Sequence, residues 1–235
     1  MSVSSAPSGG IAHVDPAELS GLPTVIGQDR FLKYLNQCRG DQAQALRLYS
    51  WNVEASAAFL GAFAALEVGL RNALHRELST QASTPSWWAK LEFTGGDERL
   101  IDEAIEDLKQ RKRDAWTPGH VVAELSFGFW MGLLGNRYHQ RFWEAGLKRA
   151  FPHYPTTKRR DYLHASFERL RLLRNRAAHH EPIHARDLLV DHALMCELAG
   201  YIDPDLHLWI RTHTRLPSVV MGRGLTLTAM RPTRF

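Results

Sequence analysis

Apolar residues recur along this chain every three or four positions, and no window alternates cleanly between apolar and polar. The pattern therefore predicts helices throughout and no half-buried strand. Phe31, Leu32 and Leu35 predict a short first helix. Asp41 is placed to cap a second, carrying Ala45, Leu46 and Tyr49, with Trp51-Asn52 interrupting it and Asn52 capping the next helix. From Val53 to Leu78, the positions Phe59, Ala62, Phe63, Leu66, Leu70, Ala73 and Leu74 form one face of a long amphipathic helix. Gly61 and Gly69 inside it each cost about 1 kcal/mol relative to Ala, which makes sense where another helix approaches closely.

Pro85 and Gly95-Gly96 break the pattern. Leu100, Ile101, Ala104, Ile105 and Leu108 mark the next helix. Pro118 opens another, continued by Val121, Val122, Leu125, Phe129 and Leu133, and Phe142, Trp143, Leu147 and Phe151 extend the series. From Lys158 a second long helix carries Leu163, Phe167, Leu170, Leu173 and Ala177, and Pro182 ends it near His179 or His180. Leu188 to Ala199 form a further helix, stopped by Gly200 at a C′ position, and a short helix starts after Asp203. The fold class expected is all-α, a bundle of about eight helices, two of them long. Residues 1–24, rich in Ser, Pro, Gly and Ala, read as a flexible N-terminal tail; residues 25–212 form the helical domain and 213–235 a C-terminal tail, with Leu225 and Leu227 able to add an extended segment.

Composition narrows this little: 44% hydrophobic and 23% charged residues are ordinary for a globular protein. No run of about 18 consecutive apolar residues marks a membrane span, and the N-terminus lacks the basic and apolar regions of a secretory signal. Two cysteines, Cys38 and Cys196, cannot build a disulfide framework, so a cytoplasmic protein with two buried thiols is expected. The net charge of +4 is unevenly spread. Residues 148–176 hold nine bases and two acids, so this stretch carries the whole positive excess. A phosphate-bearing partner and a solvated face with acids folded against it are both open on charge alone.

The sharpest local sequence is Leu172 to His184, and it supports three readings. His180-Glu181-Pro182-Ile183-His184 matches the H-E-x-x-H pattern of zinc hydrolases, but Pro182 opposes the continuous helix that would put both histidines on one face. Metal-independent phosphodiester chemistry is the second reading. His179 would exchange the proton of a 2′-hydroxyl, Arg174 would stabilise the phosphorane and Asn175 would position the phosphate. One such set is a weak site, and two facing each other across a two-fold axis would make a better one. The third reading is structural: Arg, Asn and His at a helix end can cap carbonyls. Glu67, Arg71 and His75 form a polar stripe four residues apart. Glu67 either supports a catalytic side chain or pairs within its own helix with Arg71, and His75 reads as a surface residue. Trp87-Trp88, Phe127, Phe129 and Trp130 are either stacking platforms or core, with core favoured and one ring of Trp87-Trp88 exposed.

Over about residues 28–212 the chain resembles the Abi-like (abortive infection) proteins of the HEPN (higher eukaryotes and prokaryotes nucleotide-binding) superfamily. The resemblance rests on four blocks: Arg30-Phe31-Leu32-Lys33-Tyr34-Leu35, Leu48-Tyr49-Ser50-Trp51-Asn52, Leu66 to Ala73, and Leu173-Arg174-Asn175 through His179-His180-Glu181-Pro182. The last contains the superfamily's R-N-x-x-x-H signature. The resemblance implies a helical homodimer acting as a metal-independent ribonuclease, with Arg174, Asn175 and His179 as the catalytic set. It implies His180 as an alternate to His179, with Glu67 and Arg71 in support. The RNA-binding bases would be Lys158, Arg159, Arg160, Arg171 and Arg176. No metal, cofactor or membrane is expected; RNA, a second copy and an antitoxin or regulatory protein are the expected partners. The associated biology is phage defence or toxin-like growth arrest. A non-catalytic module binding RNA or a protein is the alternative.

Overall fold

A computed structural model of the chain describes residues 13–112 and 115–235. Among these residues there are eleven α-helices and no strand. They are α1 (Leu22–Ile26), α2 (Gln28–Gln37), α3 (Gln42–Ala82), α4 (Gly95–Lys112), α5 (Pro118–Glu124), α6 (Phe127–Gly132), α7 (Arg160–Ala178), α8 (Leu188–Ile202), α9 (Pro204–His213), α10 (Leu216–Met221) and α11 (Arg223–Leu227). The fold is all-α, as the periodicity predicts. Its contacts form two compact units: residues up to Ala55 together with Ser218–Phe235, and Ser56–Pro217, the boundaries falling inside α3 and α10.

Several helix boundaries differ from the sequence reading, each for a local reason. Asp41 does cap, accepting from the Gln44 amide at 2.9 Å. The helix it opens, however, runs 41 residues without a break at Trp51-Asn52. Both residues are buried, and the Trp51 indole donates to the Val219 carbonyl at 2.9 Å, so tertiary packing outweighs a local cap. The helix expected from Pro118 to Leu133 is two, because Ser126 accepts from the Phe129 amide and restarts the chain as α6. Gly200 does not stop α8, which continues to Ile202; His207 of α9 lies where a side chain at position 200 would project. Asp203 separates the two helices by accepting from the Asp205 and Leu206 amides. Gly95-Gly96 open α4 rather than interrupt a helix.

Both expected tails extend further than the structure supports. Residues 1–12 of the N-terminal tail lie outside the described residues. Asp15, inside the same expected tail, caps a short 3₁₀ turn and pairs with Arg47 at 2.6 Å. At the other end Leu225 and Leu227 are helical, not extended. Arg231 grips the buried Glu54 carboxylate with both terminal nitrogens, at 2.8 and 2.9 Å. A short stretch with few large apolar groups is thus fastened by charge and by burial of Val219 and Thr226.

In the larger unit two aromatic sets hold the helices. Trp87, Phe93, Phe129, Trp130, Tyr138 and Phe142 form one, with ring centroids 4.8–6.2 Å apart. The other is a row, Phe63–Phe127–Phe167–Phe151, which fixes α7 by its Phe167. Each buried ring contributes about 1.5–3 kcal/mol by burial alone. Gly69 has the close approach expected of it, since a Cβ there would collide with the Leu206 methyl of α9; Gly61 has no neighbour within 4 Å. By length and composition α3 is the one helix among the described residues that could cross a membrane, and half of its most apolar window is buried in the structure.

Candidate functional site at the end of α7

Helix α7 ends at Ala178, with His179 as the C-cap and His180 in the left-handed region at φ 57°. The His180 amide donates to the Ala177 carbonyl at 3.1 Å and the Glu181 amide to the Arg176 carbonyl at 2.8 Å. These two bonds are those of a Schellman closure, with a histidine where glycine is commonest. The helix therefore stops by its own backbone bonding, four residues before Pro182. The H-E-x-x-H spacing does not lie on a helix, so His180 and His184 do not share a helical face. Among the described residues no group of three His, Cys, Asp or Glu side chains is gathered as a metal site would need.

Arg174, Asn175 and His179 all sit in the last two turns. The His179 amide donates to the Asn175 carbonyl at 2.9 Å, and the two side chains leave the helix about 40° apart. Arg174 and His179 are five residues apart, which is about 7.5 Å of rise and about 140° of rotation. In one chain they point away from each other. Arg174 and Asn175 are half-buried and His179 is exposed.

The basic stretch looks different in space from its appearance in sequence. Eight of its nine bases have a carboxylate within 4 Å: Lys148–Glu144, Arg149–Glu77, Lys158–Glu197, Arg159–Asp161, Arg160–Asp161, Arg169–Asp191, Arg171–Glu168 and Arg176–Glu181. Arg174 is the exception, with no hydrogen bond or ion pair to any described residue. Seven carboxylates thus serve the other eight bases, five of them from outside residues 148–176.

The bases of the expected RNA-binding set are held to different degrees. Arg160 is buried and bonds the Leu134 carbonyl as well as Asp161. Lys158 donates to Glu197 and to the Tyr201 hydroxyl, each at 2.7 Å, and lies 4.2 Å from the Tyr162 ring centroid. These hydrogen bonds raise the pKa of its ammonium, while burial and the bond to Glu197 push the Tyr201 phenol up to about 12. Arg171 makes two 2.7 Å bonds to Glu168, holding that carboxyl below its usual range. Arg159 is held least, 3.5 Å from Asp161, whereas Arg176 lies 3.5 Å from Glu181 and also donates to the Pro182 carbonyl at 2.5 Å.

The stripe on α3 is not a chain of pairs. Glu67 makes no hydrogen bond or ion pair among the described residues, and the Arg71 Nε is buried without a hydrogen-bond partner. Neither is joined to Arg174 or His179. His75 is not a surface residue: its Nδ1 accepts from the Trp87 indole at 2.9 Å, and burial lowers its pKa. Trp87, Phe127, Phe129 and Trp130 are core; Trp88 is half-buried. Both cysteines are buried, and burial pushes their thiols up.

Asp191 escapes a sequence reading centred on bases. Fully buried on α8, it accepts from Arg169 at 2.8 Å and from Arg186 through two bonds of 2.9 Å. Its signal was available, since it lies three residues after Leu188 and four before Met195, on an apolar stripe. Glu77, Glu144, Glu181 and Glu197 gave no comparable sign. Comparison of the chain with protein-family models, curated proteins and solved structures gives no match.

Proposed function

We propose that the chain is a metal-independent endoribonuclease of the Abi-like, HEPN type, acting in phage defence or toxin-like growth arrest. The supporting observation is the electrostatic isolation of Arg174. A half-buried guanidinium with no carboxylate, among eight neighbours in sequence that all have one, is available to an anion. Asn175 beside it has a side-chain amide with no partner among the described residues, and His179 caps the same helix end. His179 exchanges the 2′-hydroxyl proton, Arg174 stabilises the charged phosphorane and Asn175 positions the phosphate. The bond that breaks is P–O5′, leaving a 2′,3′-cyclic phosphate and a 5′-hydroxyl.

Because Arg174 and His179 diverge in one chain, a complete site needs residues from two copies. Leu172 of α7 and Leu189 and Val190 of α8 are exposed apolar side chains that such a pairing could cover. The same divergence favours a second reading, a non-catalytic module that binds RNA or a protein partner at this end. Incubation of purified protein with total RNA in excess chelator separates the two. Cleavage by wild type, absent in an Arg174→Ala/His179→Ala variant, supports the enzyme; RNA bound intact by both proteins supports the module.

A further inference from the structure

We infer that the groove between the middle of α3 and the C-terminal half of α9 is a binding site for a small neutral aromatic molecule that carries one hydrogen-bond donor. The groove lies within the larger unit, and the inference does not depend on the ribonuclease reading. The two helices touch where Leu206 of α9 meets Gly69 of α3. About two turns back along α3, nothing comes within 4 Å of where a Cβ at Gly61 would stand. A cavity of about 360 Å³ opens there, inside the range of about 300–1,000 Å³ typical of small-molecule pockets. Its floor is Gly61, Ala64, Ala65 and Val68, which share one face of α3. None is larger than valine, so the floor is nearly flat.

One wall is the indole of Trp209, 54% exposed despite its size. A flat floor beside a flat indole suits a ring, which gains from stacking as well as from burial. Among the described residues no Asp, Glu, Lys or Arg lines the cavity, so nothing there favours a charged guest. The need for a donor comes from His213, which lines the same cavity one turn after Trp209. Its Nδ1 lies 3.1 Å from the Trp209 carbonyl and 3.0 Å from the Thr212 hydroxyl. The carbonyl only accepts, and the Thr212 hydroxyl gives its proton to the Leu208 carbonyl at 2.7 Å. Nδ1 must therefore carry the proton of the neutral ring. That leaves Nε2 as an acceptor with no partner among the described residues. An N–H or O–H on the guest supplies what it lacks.

The probes are indole, which donates through its N–H, and 1-methylindole, which has no donor, each titrated into the full chain by isothermal titration calorimetry. The expected result is one indole bound per chain, about fivefold more tightly than 1-methylindole, the scale of one hydrogen bond. His213→Phe should abolish that preference and keep both probes bound. Trp209→Ala removes the wall and Ala65→Leu fills the floor, and each should weaken indole binding about tenfold or more. Leu208→Ala, at an exposed position of α9 outside the cavity, should leave it unchanged. Because Trp209 is exposed, its variant carries the test if Ala65→Leu fails to fold. Indole that does not saturate wild type, or that binds Trp209→Ala as well as wild type, overturns the inference. Equal affinities for the two probes in wild type remove the donor requirement and with it the ligand class. Sedimentation equilibrium covers the other occupant: self-association that Trp209→Ala abolishes and indole does not compete with would seat a second copy in the groove, and overturns the inference too.

Discussion

His75 on α3 receives the indole N–H of Trp87 on its Nδ1 at 2.9 Å, so the imidazole must be unprotonated at that nitrogen. Trp87 is fully buried among Trp88, Phe93, Phe129 and Trp130. Burial lowers the His75 pKa below 6.5, and burial acts on His192 in the same direction. The unfolded chain therefore binds more protons than the folded chain just below pH 6.5. The stability contribution is complete above pH 6.5 and is lost as pH falls through the unfolded value towards the folded one. Thermal unfolding followed by tryptophan fluorescence should show Tm falling from pH 7 to pH 5. His75→Asn, whose side-chain oxygen can still accept from Trp87, should flatten part of that fall. An equal slope in the variant would show that His75 is not its source.

Arg174 should separate activity from stability. With no ionic partner among the described residues, Arg174→Ala should change unfolding free energy by less than about 1 kcal/mol. If the proposed chemistry holds, it should lower kcat for RNA cleavage at least about a hundredfold, the scale of losing one charge-stabilising donor. Urea unfolding and single-turnover cleavage on the same preparation test both. A strongly destabilised variant would reveal a structural role for the guanidinium.

Asp191 should behave in the opposite way. Removing it with Asp191→Ala strands two guanidinium groups that remain partly hydrated, Arg169 45% and Arg186 27% exposed. Their access to water brings the cost below that of fully buried pairs, to about 2 kcal/mol. Urea midpoints for Asp191→Ala and wild type at pH 7 give that number directly, and equal midpoints would show that the two arginines find other partners.

The two glycines of α3 should respond unequally to the same change. Gly61→Ala meets no atom within 4 Å and should stabilise the protein by about 1 kcal/mol, the intrinsic difference in helix propensity. Gly69→Ala should return less, because the Leu206 side chain of α9 must shift to admit the methyl group. Differential scanning calorimetry of both variants would settle the ordering; equal gains would mean Leu206 moves at no cost.

The parts of the fold legible in the sequence were those governed by period. The apolar face of α3, the start of α7 and the absence of strands all come from residues spaced three or four apart. Boundaries were less legible wherever burial competes with a local signal, as at Trp51-Asn52 and Gly200. In the site, sequence placed Arg174, Asn175 and His179 together near a helix end, and the structure puts them there. For the basic segment, sequence left open both a phosphate-bearing partner and a face with acids folded against it; a linear count shows the bases but not which acids fold against them. Glu77 and Arg149 are 72 residues apart, yet form a 3.0 Å pair that no local window contains.

Four non-glycine residues among those described hold positive φ: Arg39, Ser83, His180 and Ala229. Each lies just past the end of a helix, and each closes that helix with paired backbone bonds of the kind described for His180. In α7 that closure fixes where the last turn ends relative to Arg174. The register between arginine and histidine is thus set by backbone geometry, so adding or deleting one residue between them would rotate one about 100° against the other. Such a change would keep both residue types while redirecting one side chain against the other, so helix length sets their relative direction as surely as residue identity does.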